Sequence, residues 1–404
     1  MRIHPIISAM RHNKVGVVLV ALQMSLTIAI LCNALFLIHQ RLHDSNRPSG
    51  VDEDNVVILS SEWIGNPPDI KSLQMADLAT LRQLPGVVDA YAANSFPLSG
   101  GGWDCTVRLI QEQTSPSALC FDYFVDEHAQ KVLGVRLTAG RWFTAADVVD
   151  RPDNDATPVS NTTIVTRALA EKLFPEGTAL GKTIYLDGAA QTIVGVIERL
   201  QGSYASNSTS DKIEYSVLQP NFYINRVNRY IIRARSGEID TVMAAAPKAL
   251  RKLNNARVMH YVRTFAQVRA KAYRGDRGFA AILATVCATL VAVTAFGIVG
   301  LTSSWVTQRR RQIGIRRALG ATRRAILHQF QIENLIIAIA ASVVGAGLAI
   351  ALNLWMVSRL EMPRMPLLPA IVAAIAVLGL GQAAVLWPAL RASSIPPALA
   401  TRAA

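Results

Sequence analysis

The chain is 404 residues long and 51% apolar, and it carries a formal net charge of +13 from 41 Lys and Arg against 28 Asp and Glu. That apolar share, with a mean hydropathy of +0.28, excludes an ordinary soluble protein and implies a membrane protein with room for two or three domains. The charge does not imply nucleic acid: the basic residues are not interleaved with exposed aromatics, no zinc-finger spacing occurs, and twelve of the 41 flank apolar runs in short segments (Arg2, Arg11, Lys14, seven arginines between 309 and 324, Arg391 and Arg402), where the positive-inside rule places them in the cytoplasm.

Residues 1–14 are short and basic, and Val15 to Ile38 is an apolar run broken only by Gln23, Ser25, Thr27 and Asn33. It is too long for a signal-peptide core, so it is expected to stay as transmembrane helix 1 with its N-terminus inside; a cleaved signal, with Asn33-Ala-Leu near its end, is the alternative. Residues 39–277 turn mixed and polar with near-balanced charge, which predicts a large extracytoplasmic domain. Two βαβ patterns bracket it. The first is Asn55 to Ser60, a helix from Ser72 to Leu84 closed by Pro85-Gly86, then Val87 to Ala93; the second is Arg229 to Arg235, a helix from Glu238 to Leu253, then Ala256 to Val262. Between them lie a hairpin of Trp103 to Ile110 against Ser117 to Val125, an α+β block over 140–215, and a polar loop from Tyr204 to Lys212.

Three more apolar runs predict transmembrane helices 2, 3 and 4 at 278–306, 333–358 and 367–390, joined by a cytoplasmic elbow at 307–332 and an external turn at 359–366, with a cytoplasmic tail at 391–404. Trp305, Trp355 and Trp387 sit at helix ends as interfacial anchors would. Gly297, Gly300, Gly345, Gly347, Gly379 and Gly381 allow close helix contact. The expected fold class is therefore membrane α-helical with four transmembrane helices, and with a large α+β extracytoplasmic domain of two subdomains inserted between helices 1 and 2.

The elbow holds Arg309, Arg310, Arg311, Arg316, Arg317, Arg323 and Arg324 and no acid. Ile313, Ile315, Ala318 and Leu319 recur among them at helical spacing, which predicts an amphipathic helix. Gly320 can end that helix in the left-handed conformation, and Thr322 can cap the next. The plain alternative is a basic cuff that only fixes topology.

Arg311-Gln-Ile-Gly-Ile-Arg-Arg-Ala-Leu-Gly-Ala321 resembles the signature of the MacB/FtsX-like permease family of ABC transporters. The resemblance implies that this segment is a coupling helix seated in a groove of an ATPase, with Arg309, Arg310, Arg311, Gln312, Ile313, Gly314, Ile315, Arg316, Arg317, Ala318, Leu319 and Gly320 as the coupling residues. The family's pattern has Glu where this chain has Gln312, and often an acid where it has Ala325, which leaves open whether one ion pair with the ATPase is missing. Gly140 to Asp147, Ile164 to Leu173 with Phe174-Pro175, Gly181 to Tyr185 and Ile193 to Ile197 look like blocks of the MacB-type periplasmic core domain, which implies a larger, porter-like subdomain built from the two outer βαβ units. The tail from Pro388 to Leu399 is also similar to the family's.

No catalytic centre is legible. Gly177-Thr-Ala-Leu-Gly-Lys-Thr183 is one residue short of a phosphate-binding loop and lies on the wrong side of the membrane for ATP, so ATP and Mg are expected in a separate ATPase subunit, with no cofactor and no metal in this chain. The histidines show no metal spacing, no Gly-x-Ser-x-Gly occurs, and Asp126-Glu-His128 reads as a solvated strand end. Cys32 and Cys287 fall in membrane helices; Cys105 and Cys120 lie on the two arms of the hairpin, as a disulfide or as two thiols.

By resemblance the chain is the permease subunit of an ABC transporter and not itself an enzyme, multi-pass in a bacterial inner membrane with its large domain in the periplasm. The implied partners are an ABC ATPase, a second permease chain (identical or different), a periplasmic adaptor with an outer-membrane channel, and membrane lipids; the implied cargo is peptides, antibiotics or lipids for export. ATP-driven closure would push the elbow, and a nearly continuous helix from Arg274 to Leu319, ~45 residues and roughly 65 Å long, would carry the displacement outward, with Gly297 and Gly300 as its weak points. A lipoprotein-releasing permease or a regulator of cell-wall hydrolases is the alternative within the family. A membrane-anchored signalling or binding module is the alternative of another class, and an ectodomain enzyme a third, for which no nucleophile or metal set is visible.

Overall fold

The computed structural model describes residues 14–152, 160–205, 211–360 and 364–393. The N-terminal segment, the centre of the Tyr204 to Lys212 loop, part of the external turn and most of the tail lie outside these residues. The chain divides into two compact units, one of residues 45–275 and one that joins residues 1–44 with 276–404.

In chain order the elements begin with α1 (Lys14–Ser45), β1 (Val56–Trp63), α2 (Ile70–Arg82), β2 (Val87–Ala92), β3 (Trp103–Arg108), β4 (Ala118–Val125), α3 (Ala129–Leu133), β5 (Leu137–Gly140) and β6 (Val149–Pro152). Then come β7 (Thr162–Thr166), α4 (Arg167–Leu173), β8 (Thr183–Leu186), β9 (Ala189–Ile197), β10 (Ser216–Ile224), β11 (Val227–Ala234), α5 (Ile239–Leu253), β12 (Arg257–Thr264) and α6 (Phe265–Ala272). The last four are α7 (Arg274–Gln308), α8 (Arg310–Ala318), α9 (Arg323–Leu360) and α10 (Leu367–Ser393).

The two outer βαβ patterns form one four-stranded sheet of order β12-β1-β11-β2, in which β1 is antiparallel to both β11 and β12, and β11 to β2. Each unit is thus split, with a strand of the other unit lodged between its own two, the ferredoxin-like arrangement. The central strands explain why: Val57 and Leu59 of β1 with Tyr230 and Ile232 of β11 pack against Leu78 and Leu81 of α2 and Val242, Ala246 and Leu250 of α5. Their neighbours Val56, Ile58 and Ile231 point into the opposite core with Phe121, Tyr123 and Val125 of β4 and Val132 of α3. Both faces are buried, so these strands read as unbroken apolar runs. Asp69 caps α2 by accepting from the Ser72 amide at 3.0 Å. After α2 the chain reverses at Gly86, whose φ of +83° and proximity to Glu238 exclude a side chain.

The second sheet closes on itself: β4 pairs β3, then β8, β9, β7 and β10 follow in turn, and β10 pairs back to β4. Val107, Val165, Ile184, Leu186, Ile193 and Val217 fill the interior with Leu169 and Leu173 of α4. Cys105 and Cys120 are direct partners across β3 and β4, with Cα atoms 5.3 Å apart, and are joined by a disulfide. The near-phosphate loop is a turn into β8 that is held against β9: Gly181 has φ +74°, its amide donates to the Ile193 carbonyl at 2.8 Å, and the Lys182 carbonyl accepts from the Ile193 amide at 2.9 Å.

Asp126-Glu-His128 is not the solvated strand end that its polarity suggests. Asp126 is buried, its carboxylate 3.6 Å from Arg82 at the end of α2, and His128 Nδ1 lies 3.1 Å from Asp89 of β2. Burial pushes the Asp126 carboxyl up to about 7 against the opposing pull of His128 and Arg82, and burial does the same to Asp122 against Arg151 and the Gln219 hydrogen bond. The elements that bury these groups come from far apart in the chain, which local polarity does not report.

In the helical unit, α1, α7, α9 and α10 are each long and apolar enough to cross a membrane. The helices outrun their apolar stretches because the polar ends keep helical hydrogen bonding; α1 continues to Ser45 and α7 starts at Arg274, where Arg41 of α1 meets Asp276 of α7 at 2.8 Å. The four polar interruptions of the first apolar run all bond to other helices: Gln23 donates to the Val293 carbonyl at 3.1 Å and Thr27 shares a 2.8 Å hydrogen bond with Thr294 on α7, while Ser25 donates to Ala341 at 3.0 Å and Asn33 to Ala349 at 3.2 Å on α9. Of the six glycines expected at contacts, Gly297 meets Gln23, Gly345 meets Ser25 and Ile28, and Gly381 meets Met24, whereas Gly300, Gly347 and Gly379 face open space. Trp355 and Trp387 are exposed, but Trp305 is buried against Gly16 and so packs within the protein rather than serving as an interfacial anchor.

Candidate coupling site at the basic elbow

The expected rod from Arg274 to Leu319 is not one helix. α7 runs without a break through Gly297 and Gly300 and stops at Gln308; Arg309 alone is non-helical, and α8 begins at Arg310. The glycines are not the weak points because helical hydrogen bonding continues through both. The interruption falls where Arg309 turns its side chain toward α9, with Nη1 3.0 and 3.3 Å from the two carboxylate oxygens of Glu333.

α8 ends as its sequence predicts. Gly320 adopts φ +97°, the left-handed conformation that terminates a helix, and the Thr322 hydroxyl accepts from the Ala325 amide at 3.2 Å to open α9. The result is a nine-residue helix between two turns.

The four apolar residues of α8 and its end do not share one face. Ile313 is 6% exposed and packs into the bundle core with Trp305, Ile326 and Phe330, and Gly314 is buried beside it. Ile315 and Leu319 are 46% and 83% exposed, and Ala318 between them is exposed as well. Residues three and four apart lie on one side of a helix, so Ile315, Ala318 and Leu319 form a short apolar ridge turned outward. Arg310, Arg311, Gln312, Arg323 and Arg324 are exposed around it, and the side chains of Arg316 and Arg317 lie outside the described ones. The elbow can therefore offer a partner an apolar ridge in a cationic surround, a surface suited to a groove with an acidic rim.

Sequence reasoning missed Glu333 and Gln329. The Gln329 side chain donates to Glu333 Oε1 at 3.1 Å, and the Glu333 side chain is only 4% exposed. The signal was present: an acid at the edge of a long apolar run is costly unless it has a partner.

Residues 18–252 match the MacB-like periplasmic core domain, and residues 284–397 match the FtsX-like permease C-terminal domain. The first match alone spans more than half of the chain. The chain belongs to the MacB/FtsX-like permease family. Relatives include the ABC transporter permease YknZ of Bacillus subtilis, 23% identical over 275 residues that cover 67% of this permease and 64% of YknZ. The macrolide export ATP-binding/permease protein MacB of Neisseria gonorrhoeae is 24% identical over 290 residues, covering 70% of this permease and 42% of that protein. The permease thus spans less than two thirds of the length of these two relatives. Among solved structures, the periplasmic region of MacB from Actinobacillus actinomycetemcomitans matches 55% of this permease and 94% of its own chain at 14% identity, with a TM-score of 0.36. The elbow, from the end of α7 through α8 to the start of α9, lies inside the FtsX-like match.

Proposed function

We propose that this permease couples ATP hydrolysis by a separate ABC ATPase subunit, which holds ATP and Mg, to a conformational change of its α/β unit on the outer side of a bacterial inner membrane. The observation that carries this is the elbow: an exposed ridge of Ile315, Ala318 and Leu319 on a short helix whose opposite side, through Ile313, is anchored in the bundle. A ridge that turns outward is available to a partner, and an anchor that turns inward passes on what the partner does.

The relay is α7, whose 35 residues, roughly 50 Å at 1.5 Å per residue, lead from the elbow to the α/β unit. Work on the elbow then reaches the outer domain without cargo passing through this chain. Two permease chains, identical or different, act together in this scheme, and an adaptor with an outer-membrane channel extends it. The relative named for macrolide export supports small antibiotics as cargo alongside peptides and lipids.

Purification of the permease from native membranes, followed by identification of the proteins that come with it, tests the proposal. An ABC ATPase that releases on mutation of the ridge is the expected result. A permease that purifies with no ATPase, or one that keeps its ATPase after Ile315→Glu and Leu319→Glu, overturns it.

A further inference from the structure

Seven arginines crowd the elbow, and six of them are interchangeable by sequence with any basic cuff; Arg309 is different. It is the single residue between α7 and α8, and the helical ladder bridges it on both sides, since its amide donates to the Trp305 carbonyl at 3.0 Å and its carbonyl accepts from the Ile313 amide at 3.0 Å. Its neighbours Arg310 and Arg311 are exposed, whereas its own side chain is largely covered and reaches Glu333. Glu333 is buried on α9 and also accepts a hydrogen bond from Gln329 one turn away, so its carboxylate is held from its own helix as well as by the arginine.

From this geometry we propose that Arg309 and Glu333 form a latch that sets the direction of α8. Arg309 is a positioning residue, not one of the docking arginines. Among the described residues, α8 is held at its N-terminal end by the latch, in its middle by Ile313 in the bundle core, and at its C-terminal end by the Gly320 turn and the Thr322 cap. A nine-residue helix fixed in this way moves as one body with α7 and α9.

The closed pair is the arrangement seen, and its separation defines the second state of the proposed latch. A pair with one member nearly buried is stable while both charges are present and together, and separating them strands Glu333 in an apolar surround. With the pair closed, the ridge of Ile315, Ala318 and Leu319 has one orientation; with it open, α8 keeps its backbone link to α7, the Ile313 contact and the C-terminal turn but loses its side-chain tie to α9 at its N-terminal end, and the helix pivots at Arg309. The cationic surround sharpens the contrast, because Arg310 and Arg311 repel Arg309 while Glu333 draws it toward α9. The consequence for transport rests on the coupling role proposed above, but the geometry of the latch does not.

The test uses the full-length permease in lipid nanodiscs with spin labels at Leu319→Cys and Val343→Cys, two exposed positions on either side of the elbow turn. The native cysteines do not compete, since Cys32 and Cys287 are buried and Cys105 is bonded to Cys120. Glu333→Gln keeps the shape of the side chain and removes the charge. Arg309→Gln removes the other charge and keeps a long polar side chain, so one variant remains informative if the other does not fold. The expected result is a single distance population in the parent and a shifted or second population in each folded variant, with the charge-exchanged R309E/E333R chain returning to one population. An unchanged distance distribution in a folded Glu333→Gln or Arg309→Gln chain overturns the latch. No ATPase is needed for this measurement, so a failed co-purification counts against the coupling role alone, and an unchanged distance counts against the latch alone.

Discussion

Asp77 and Arg257 meet through two hydrogen bonds of 2.7 Å with both side chains fully buried. Tyr230 donates a third bond to the same carboxylate at 2.6 Å, and the guanidinium lies 4.0 Å from the centroid of the Trp63 ring. The pair ties α2 of the first βαβ unit to β12 of the second, across the interleaved sheet. Removing one partner leaves an uncompensated buried charge, so Asp77→Ala is expected to lower the stability of the α/β unit by about 3–5 kcal/mol, whereas an apolar pair of similar volume such as D77L/R257M loses far less. Thermal unfolding of the full-length chain, followed by loss of protection in β11 and β12, separates the two outcomes.

Gly345 of α9 lies where an added Cβ would sit 2.8 Å from the Ser25 carbonyl and 2.9 Å from Ile28, while Gly347, two residues on, has nothing within 4 Å. Gly345→Leu is therefore expected to force α1 and α9 apart and to cost about 1–3 kcal/mol or more, since overpacking a tight contact moves backbone. Gly347→Leu is expected to be neutral. Equal melting temperatures for the two variants in detergent would contradict the close approach.

Asp122 and Asp126 give the α/β unit a distinctive pH response. Both carboxyls are pushed up to about 7 by burial, so the folded chain holds protons that the unfolded chain gives up near pH 4. Their contribution to stability is fully present below pH 4 and is lost as the pH rises through 7. Asp147 works in the other direction: its hydrogen bonds from Arg141 and Thr144 hold its carboxyl well below the usual range, and its contribution is lost as the pH falls below 4. The double variant D122N/D126N is expected to flatten the decline in melting temperature between pH 4.5 and pH 7.5. An undiminished slope in that variant would assign the decline to other groups.

The ridge makes the elbow's prediction asymmetric. Ile315→Glu and Leu319→Glu are expected to reduce association with the ATPase about tenfold or more, because burying one such side chain contributes roughly 1.5–3 kcal/mol and each 1.4 kcal/mol is a factor of ten. Ile313→Glu is expected to damage the fold instead, since that side chain lies in the bundle core. Yield and melting temperature sort these two classes before any binding is measured.

Much of the fold is legible along the chain. The two outer βαβ patterns, the Trp103 to Val125 hairpin and the four apolar helices are local periodicities, and each is present in the structure. So are the Gly320 stop and the Thr322 cap, because a turn is written in the few residues that make it. What periodicity could not report is which strands become neighbours: β1 lies between β11 and β12, contributed by a unit some 170 residues away. The elbow divides in the same way. Its helix was readable from spacing, but the inward turn of Ile313 and Arg309 depends on α9, and so does the loss of Trp305 as an anchor, which depends on Gly16 of α1.

By itself the sequence determined where helices and strands form, which segments are long and apolar enough to cross a membrane, and where the positive charge concentrates, because these follow from neighbours a few residues apart. Only the tertiary structure decided that Asp77 belongs to Arg257, 180 residues on, that Arg309 belongs to Glu333, and that Asp126 is buried rather than solvated. A charge becomes costly or useful according to what surrounds it in space, and that surrounding is assembled from elements whose order in the chain says little about their distance.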